Sequence, residues 1–475
     1  MDAIPLFLMK VAIIQPPAYG VRTPPLGPAY LASSLEKAGI ECRIFDFNSE
    51  LYKNGGLPEL WNPENLAIWQ KTQKFCKIKF SSEEVIASCA RQVLEFAPDV
   101  IGMSVHNPSA NFSIALAKAI KAQKNDAIII MGGPICHPNL KIFPEMPETD
   151  YNIHEYADYL VVGEGEKTFI ELLDAIAKGK NPAGCKGIMF RKGEKLVFTG
   201  NNTPIMTLDL LPFPDFSQFP LDNYRHYEQK SLILPIMLSR GCTNHCVFCT
   251  DTNAWFPYRF RFSKSVIDEI KSDIEQYGCT AFEFNDSLIN GNPKLLSDVC
   301  EEIIREKIQI SWSGSARADS TISKELLQKM KKAGCNTLYF GIESGSQKVL
   351  NNMRKKINIR KVPKILKWAS ELGISVGTSW IIGFPTETEE DFKKTVKFIR
   401  DNRKYITHFS VQVFFINHLS DVEKNFRKYK IVPYREDWGF WRTEDDSNTF
   451  EVRKKRLRFL NEEIQKNFDY ARIIK

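Results

Sequence analysis

The feature that most constrains the fold of this chain is a strand followed by a helix, repeated about six times between residues 235 and 415. Continuously apolar strands that alternate with amphipathic helices belong in a parallel sheet with helices packed on its faces. The functional groups of such folds gather in the loops at the carboxyl ends of the strands. The predicted strands are residues 235–239, 281–285, 309–313, 337–341, 375–382 and 408–415.

Three cysteines stand in the loop after the first of these strands. Cys242, Cys246 and Cys249 have the spacing C-x3-C-x2-C and follow the apolar run 232–238, so a single loop can present three thiolates together. A cluster of four irons and four sulfides held by three thiolates keeps one iron without a protein ligand, and that iron can bind and reduce a small molecule. The spacing therefore predicts an iron–sulfur cluster with an open iron.

Two structural interpretations compete with the cluster. A zinc site would need a fourth close Cys or His. His245 is a candidate, but its place between two ligands would strain the loop. Reduced cysteines are also common in protein cores. The spacing and its position after a strand favour the cluster over both alternatives.

The cysteine motif, including the aromatic Phe248 before its last cysteine, resembles that of the radical S-adenosylmethionine (SAM) enzymes. The six strand–helix units resemble the open (β/α)6 partial TIM barrel of that family, which we predict for residues 232–415. The resemblance implies that the three cysteines are both metal ligands and catalytic residues. They would hold a 4Fe-4S cluster whose open iron chelates SAM and whose electron cleaves it to methionine and a 5′-deoxyadenosyl radical. It also implies an external electron donor of the flavodoxin or ferredoxin type.

The same resemblance assigns SAM-binding roles to residues at the predicted strand ends. Asn285 and Asp286 stand where family members contact the amino group of SAM, although both residue types are also common helix caps. Arg317 can pair with the SAM carboxylate through its fork of donors. Glu343 matches a position that accepts hydrogen bonds from the ribose hydroxyls, and Gly383 would let adenine approach the backbone. The other SAM-binding candidates are Phe248, Ser315 and Ile382.

The first part of the chain predicts a second α/β domain, doubly wound and Rossmann-like, over residues 1–178. Its ligand site should lie at the carboxyl ends of the strands. Residues 49–82, which contain Trp61 and Trp69, break the alternation and are interpreted as an insertion. The predicted strands are residues 10–15, 41–47, 100–104, 127–131 and 159–162, and the predicted helices are residues 26–38, 82–96, 112–123 and 167–178.

The strand-end loops of this domain resemble the cobalamin-binding domain that is fused to many radical SAM enzymes. Glycines in such loops allow the backbone to approach a bulky ligand. Dinucleotide binding is disfavoured because Gln15-Pro16-Pro17 stands where a G-x-G-x-x-G sequence would be expected. A degenerate domain that keeps the fold without cobalamin is the other alternative. The cobalamin-binding candidates are Pro24, Leu26, Gly27, Ser104, Val105, His106, Gly132, Gly133, Gly163 and Glu164.

One departure from other cobalamin proteins concerns the cobalt ligand. The D-x-H-x-x-G loop, whose histidine ligates cobalt elsewhere, is absent from this chain. The resemblance therefore implies base-off cobalamin without a protein imidazole below the cobalt. His106 lies in a strand-end loop and is a candidate substitute, but a polar residue there is more often solvated or a cap.

Composition, charge and the remaining segments narrow the function further. The chain has 475 residues, enough for two or three domains, and its net charge of +7 arises from 64 basic and 57 acidic residues spread along it, which does not predict a nucleic-acid partner. Eleven scattered cysteines without a secretion signal or a membrane-spanning apolar run predict a cytoplasmic protein with reduced thiols.

Residues 179–231 predict a linker with a hairpin of strands 187–190 and 195–198, and residues 416–475 predict a C-terminal extension with a helix at 452–468.

These features together predict a cobalamin-dependent radical SAM enzyme that methylates an unactivated carbon of a small-molecule, lipid or peptide substrate. One alternative keeps the radical step without methyl transfer, as in cyclisation, carbon–carbon coupling or oxidation, with or without bound cobalamin. Another alternative is a cobalamin-binding sensor or carrier that has lost catalysis.

Overall fold

The computed structural model describes residues 5–137, 153–225, 231–417, 419–432 and 441–467. The chain divides into two compact units, Met1–Pro235 and Ile236–Lys475, which we call the first and second units. Each unit is built on a mainly parallel sheet with helices. The predicted α/β class is therefore confirmed.

The sheet of the first unit has seven strands in the order β2-β1-β3-β4-β5-β6-β7. The five strands β1 to β5 pair in parallel, and the chain order reverses beside β1, as in a doubly wound fold. Their carboxyl ends therefore lie along one edge. The strands are β1 (Lys10–Ile14), β2 (Glu41–Phe45), β3 (Val100–Ser104), β4 (Ile128–Gly132), β5 (Tyr159–Val161), β6 (Ile188–Lys192) and β7 (Lys195–Phe198).

The hairpin predicted inside the linker belongs to this sheet. Strand β6 pairs antiparallel with β5, and β7 pairs antiparallel with β6. The linker prediction gave the hairpin no partner, because strand pairing depends on the edge of β5 and leaves no local signal in the hairpin itself.

The predicted insertion at residues 49–82 is part of the core of the first unit. It folds into short helices, and Trp61 and Trp69 are buried together with Phe80. The Trp69 and Phe80 rings stack at 5.7 Å, and the indole of Trp61 donates to Asn48 Oδ1 at 2.7 Å. Buried aromatic rings whose N–H groups have partners stabilise a core. The helices of this unit are α1 (Leu26–Lys37), α2 (Phe47–Asn54), α3 (Leu66–Gln70), α4 (Thr72–Phe75), α5 (Glu83–Glu95), α6 (Ala110–Gln123), α7 (Ile153–Tyr156) and α8 (Gly165–Ala177).

The main sheet of the second unit has six strands in the linear order β15-β14-β13-β12-β11-β8. Strands β11 to β15 pair in parallel, so neighbours in the chain are neighbours in the sheet, as expected for repeated strand–helix units. The strands are β8 (Ile233–Ile236), β9 (Ser239–Arg240), β10 (Arg259–Phe260), β11 (Ala281–Phe284), β12 (Ser311–Ala316), β13 (Cys335–Glu343), β14 (Ser375–Ile382), β15 (His408–Val413), β16 (Ile431–Val432) and β17 (Arg442–Thr443).

Local sequence explains where several helices of the second unit begin and end. Thr388 and Asp391 form a capping box at the start of α15, which satisfies exposed N–H groups, and Gly278 ends α10 in the left-handed conformation. The last helix packs against β14 and β15, and the end of the helix predicted at 452–468 lies outside the described residues. The helices are α9 (Asp251–Ala254), α10 (Ser263–Tyr277), α11 (Pro293–Arg305), α12 (Lys324–Lys332), α13 (Gln347–Asn352), α14 (Val362–Glu371), α15 (Glu389–Asn402), α16 (Asp421–Lys424) and α17 (Phe450–Asn467). No helix in the described ranges is both long and apolar enough to cross a lipid bilayer.

Candidate active site

The three cysteines of the C-x3-C-x2-C motif lie in the loop that leaves β9. All three are partly exposed. Asn244, between the first two cysteines, is 3% exposed. Its backbone N–H lies 3.4 Å from Cys242 Sγ, and its side-chain amide donates to Cys246 Sγ at 3.1 Å. The loop thus directs N–H donors at two of its own sulfurs.

Charged groups from two strand ends and from the turn after α13 act on the Cys246 thiol. Burial raises its pKa, while the positive charge of Lys355 lowers it; the negative charges of Glu343 and Cys242 raise it, and Arg317 lowers it. Positive charges beside a thiol favour the thiolate, which is the form that binds metal, and here they oppose the larger effect of burial. The donor set therefore fits a metal cluster held by thiolates.

The arrangement of the thiols differs from that of a single-ion site. In the described ranges, no group of three His, Cys, Asp or Glu side chains is placed to share one metal ion. In a cubane cluster, by contrast, each thiolate binds a different iron, so the three sulfurs need not converge on one point.

Glu343 is the last residue of β13 and has a left-handed backbone, with φ of +70°. The pairing of β13 with β14 shifts register between Gly341 and Glu343, and such a bulge changes the direction of a side chain. Its Oε1 accepts a hydrogen bond from Lys355 Nζ at 2.7 Å, and the two side chains are 8% and 12% exposed. A non-glycine residue in this conformation, with a buried charge, is typical of a functional site.

Arg317 follows β12, and its guanidinium pairs with Asp319. Asn290 holds the Arg317 backbone from both sides, accepting from its N–H at 2.9 Å and donating to its carbonyl oxygen at 2.9 Å. The backbone at Arg317 is therefore fixed, and the guanidinium already has a carboxylate partner. Ser315, expected after the strand, is an exposed residue within β12.

The two residues after β11 have different environments. Asn285 is exposed, whereas Asp286 is 5% exposed and accepts hydrogen bonds from the Leu238 N–H at 2.9 Å and from Ser239 Oγ at 2.5 Å. Burial raises the pKa of Asp286 to about 6. Its carboxylate therefore fastens the start of the segment that carries the cysteines.

The turn after β14 contains Ile382 and Gly383. Ile382 is fully buried. Gly383 has φ of +80°, and a Cβ there would lie 2.3 Å from Arg453 Cγ and 3.2 Å from Asn448 Oδ1. The close approach expected for adenine at Gly383 is thus made by the C-terminal segment of the chain itself, which the local sequence could not reveal.

A cavity of about 240 Å³ lies beside the last cysteine. Phe248 is partly buried there, and its carbonyl oxygen accepts a hydrogen bond from Asn417 at 3.0 Å. The walls are mostly apolar and aromatic, which suits a planar apolar group placed next to the thiols. The lining residues are Phe248, Cys249, Thr250, Asp251, Ile381, Gln412, Val413, Phe414, Phe415 and Asn417.

In the first unit, the candidates after β3 and β4 are packed against each other. Val105 is fully buried, and its N–H donates to Gly132 O at 2.7 Å. Gly133 has φ of +108°, and a Cβ there would lie 2.5 Å from Val105 O. Ser104, the last residue of β3, is half-buried. The close backbone approach at Gly133 is therefore explained by a neighbouring loop of the same unit.

The candidates after β5 are likewise engaged by the chain. Gly163 has φ of +85°, and a Cβ there would lie 2.8 Å from Asn202 Oδ1. Asn202 Nδ2 donates to Glu164 O at 2.8 Å, and Glu164 Oε2 accepts from the Ile205 N–H at 2.7 Å. The sequence interpretation, in which these residues face a ligand, did not foresee these contacts with residues 202–205.

The start of α1 and the residue before its N-cap differ from these two regions. Pro24 and Leu26 are buried, but Gly27 is exposed and a Cβ there would meet nothing within 4 Å. His106 stacks obliquely on Tyr19 with ring centroids 4.7 Å apart, and burial lowers its pKa to about 4. This part of the edge combines open space at Gly27 with a neutral imidazole.

Two residues of the second-unit site were not predicted from the sequence. Lys355 stands in the basic run Arg354-Lys355-Lys356, which is typical of a solvated surface, and no local pattern distinguishes it from its neighbours. Asn244 lies inside the cysteine motif. Its position between two ligands is the feature from which its role could have been predicted.

The comparison with known sequences gives one family and several relatives. Residues 236–399 match the family described as the Radical SAM superfamily. The chain is 29% identical over 402 residues to an uncharacterized methyltransferase of Pyrococcus horikoshii, covering 83% of this chain and 78% of the relative. It is 28% identical over 416 residues to the cytidylyl-2-hydroxyethylphosphonate methyltransferase of Streptomyces wedmorensis, covering 79% and 73%. It is 26% identical over 318 residues to the anaerobic magnesium-protoporphyrin IX monomethyl ester cyclase of Rubrivivax gelatinosus, covering 65% and 55%.

Two solved structures share the fold. TsrM, a radical SAM methyltransferase from Kitasatospora setae with cobalamin and a 4Fe-4S cluster bound, has a TM-score of 0.71 at 17% identity, covering 98% of this chain and 93% of TsrM. OxsB, a cobalamin-dependent SAM radical enzyme, has a TM-score of 0.62 at 17% identity, covering 89% of this chain and 56% of OxsB. At these identities the likeness establishes the architecture, an α/β unit followed by a partial barrel.

Proposed function

We propose, from the premise that this chain carries a radical SAM domain over residues 236–399, that it is a cobalamin-dependent enzyme that methylates an unactivated carbon. The observation that carries the proposal is the buried Lys355–Glu343 pair, whose charges act on the thiol of Cys246 within the cysteine motif. A purely structural cysteine loop would have no need of buried charged groups brought in from a strand end and from a distant turn. The methyltransferase names of two relatives support the methyl-transfer part.

The cofactors set the chemistry, and the chain positions them. A bound cluster supplies the electron that cleaves SAM, and bound cobalamin carries the methyl group. Cys242, Cys246 and Cys249 would hold three of the four irons.

The neighbouring strand ends would bind SAM. The guanidinium of Arg317 would form the carboxylate contact by exchanging its present partner, Asp319. Glu343 would accept a ribose hydroxyl through Oε2, because Oε1 is held by Lys355. We assign the amino-group contact to the exposed Asn285, since the carboxylate of Asp286 is already bonded to Leu238 and Ser239.

The cavity beside Cys249 offers the place for the adenosine part of SAM. Its aromatic walls, Phe248, Phe414 and Phe415, would exclude water from the reactive carbon. Water exclusion matters because a carbon radical must reach the substrate before it reacts elsewhere.

Cobalamin would bind at the carboxyl edge of the first sheet, where Gly27 retains open space. The ring of His106 is stacked on Tyr19 there, with centroids 4.7 Å apart. We propose a base-off state without an imidazole below the cobalt. Electron paramagnetic resonance of the cobalt(II) protein should then lack nitrogen splitting, and splitting that vanished in His106→Ala would contradict this assignment.

The central test compares the reconstituted wild type with the triple variant Cys242→Ala, Cys246→Ala, Cys249→Ala. The wild type should show iron–sulfide absorbance and form 5′-deoxyadenosine from SAM under reducing conditions, and the triple variant should do neither. Cys76→Ala, at an exposed cysteine of the first unit, is the control and should behave as the wild type. Retention of both signals in the triple variant would refute the cluster assignment.

A second candidate function keeps the radical step without transferring methyl. The similarity of the chain to a cyclase supports this second candidate. Mass analysis of the product made with methyl-labelled SAM distinguishes the two, because only a methyltransferase incorporates the label. A catalytically inactive sensor or carrier would bind cobalamin and cleave no SAM.

A further inference from the structure

The cysteine loop of the second unit is attached to a turn that follows α13. The Val247 N–H donates to Met353 O at 3.1 Å. The Asn244 side-chain amide donates to Lys355 O at 3.0 Å and lies 3.5 Å from Arg354 O. Residues 353–355 therefore hold the middle of the loop, although more than a hundred residues separate the two segments.

The side chain of Lys355 extends from this turn toward the cysteines. Its Nζ donates to Glu343 Oε1 at 2.7 Å and lies 5.8 Å from the ring centre of Phe248. The Lys355 side chain is 12% exposed. Although burial lowers the pKa of Lys355, the charges of Glu343, Cys246 and Cys249 outweigh it, so the ammonium stays charged. A desolvated cation is costly unless it has compensating partners, and its partners here are a carboxylate and two cysteines of the motif.

The amide of Asn244 is oriented by the same arrangement. Its Nδ2 reaches Cys246 Sγ and the Lys355 carbonyl oxygen, both of which are acceptors. Its Oδ1 is buried and has no hydrogen-bond partner within the described ranges. A buried acceptor without a partner is destabilising, so the orientation is maintained by the bonds of the amide nitrogen, one of which ends on sulfur.

We propose that Lys355 and Asn244 are positioning residues that raise the reduction potential of the cluster; this inference rests on the proposed function. A positive charge near the cluster and an N–H donor on a ligand sulfur both stabilise the added electron. The cluster gains one electron in this step, which the external donor supplies. Lys355 contributes the charge, and Asn244 contributes the donor on Cys246 Sγ.

The test is a redox titration of the reconstituted cluster without SAM, in the full chain, followed by electron paramagnetic resonance. In Lys355→Met we expect the ratio of reduced to oxidised cluster at a fixed potential to fall at least tenfold, which corresponds to about 59 mV for one electron. Lys355→Arg should keep the ratio within about threefold of the wild type. Lys356→Met is the matched control, because it removes the same charge from an exposed neighbour, and it should change the ratio less than twofold. Asn244→Leu should lower the ratio about threefold.

A second variant keeps the test decisive if Lys355→Met folds poorly, since that change leaves Glu343 buried and unpaired. Lys355→Met with Glu343→Gln removes both charges, so it should restore at least half of the lost potential. The inference would be overturned, while the proposed function stands, if the ratio of reduced to oxidised cluster were the same in Lys355→Met and Lys356→Met. It would also be overturned if this ratio were no higher in the double variant than in Lys355→Met alone. Failure of the wild type to take up iron and sulfide would overturn both.

Discussion

The carboxyl edges of the two sheets are built from the same kind of strand end, but they hold different groups. In the first unit, Gly133 is approached by the backbone of Val105 and Gly163 by the side chain of Asn202. In the second unit, the edge holds the ion pair of Lys355 with Glu343 and the buried carboxyl of Asp286. The first edge is packed mainly by backbone and amide groups, with the buried Glu164 carboxylate bonded to the Ile205 N–H. The second edge holds an ion pair whose charges cost free energy to bury.

Under the proposed function, the reactive chemistry takes place at the second edge. Charged groups with shifted pKa values and a left-handed glutamate are stabilised only by a surrounding structure that holds them, and they are concentrated at functional sites. The first edge is suited to carrying a ligand without reacting with it. Five measurements test this contrast.

The largest expected effect is at the ion pair of the second edge. Glu343→Ala leaves Lys355 as a buried unpaired cation, and we expect the free energy of unfolding to fall by about 3–5 kcal/mol. Urea unfolding of the full chain measures it. Glu390→Ala, which breaks the exposed pair of Glu390 with Lys393, should cost at most about 1 kcal/mol. Equal losses in the two variants would remove the contrast between buried and exposed charge.

The next effect is a pH dependence from the second edge. Burial raises the pKa of Asp286 from 3.8 to about 6, so the folded protein binds an extra proton between these values and this group's contribution to stability falls as pH rises through them. The difference amounts to about 3 kcal/mol. In Asp286→Asn this contribution disappears, so the stability of the variant relative to the wild type should rise between about pH 4 and about pH 6. If the difference in free energy of unfolding between Asp286→Asn and the wild type did not change with pH, the raised pKa of Asp286 would be contradicted.

The first edge should show a pH dependence of opposite sign. Burial lowers the pKa of His106 from 6.5 to about 4, so the unfolded chain binds the extra proton and the contribution to stability is lost as pH falls from about 6.5 to about 4. The expected loss is at most about 3 kcal/mol, reduced by the partial exposure of the ring. Urea unfolding of His106→Gln over the same pH range should not show this loss of stability. A loss of the same size in that variant would assign the proton to another group.

Packing at the first edge predicts a further effect. Gly133→Ala introduces a Cβ at φ of +108°, 2.5 Å from Val105 O, and should destabilise the protein by about 2–3 kcal/mol. Gly27→Ala, where a Cβ meets nothing within 4 Å, should stay within about 0.5 kcal/mol of the wild type. Thermal unfolding of both variants gives the comparison. Equal melting temperatures would show that the loops at Gly133 move apart without cost.

The smallest effect concerns the neutral hydrogen bonds of the first edge. Asn202→Ala removes the donor to Glu164 O at 2.8 Å and to Thr168 Oγ1 at 3.0 Å, and we expect a cost of about 1–2 kcal/mol. Asn54→Ala, at the exposed end of α2, is the control and should be nearly neutral. A loss in Asn202→Ala as large as that in Glu343→Ala would mean that the two edges do not differ as described.

Much of the fold could be predicted because its signals are local. The prediction for β14, residues 375–382, matches the observed Ser375–Ile382, and that for β3, residues 100–104, matches Val100–Ser104, because each is a short apolar run between turn residues. Strand ends were less accurate: β12 extends to Ala316 and so includes Ser315. The packing of residues 49–82 into the core depends on distant aromatic partners, which a local pattern does not show.

The sequence by itself determined the strand–helix alternation and the spacing of Cys242, Cys246 and Cys249. Both are patterns among residues that are close together in the chain. Only the tertiary structure decided what surrounds those cysteines. Lys355 comes from a basic run that looked solvated, and Arg453 fills the space over Gly383 from seventy residues further along the chain. Neighbours of this kind are brought together by sheet order and burial, which act over the whole unit, so no short stretch of sequence encodes them.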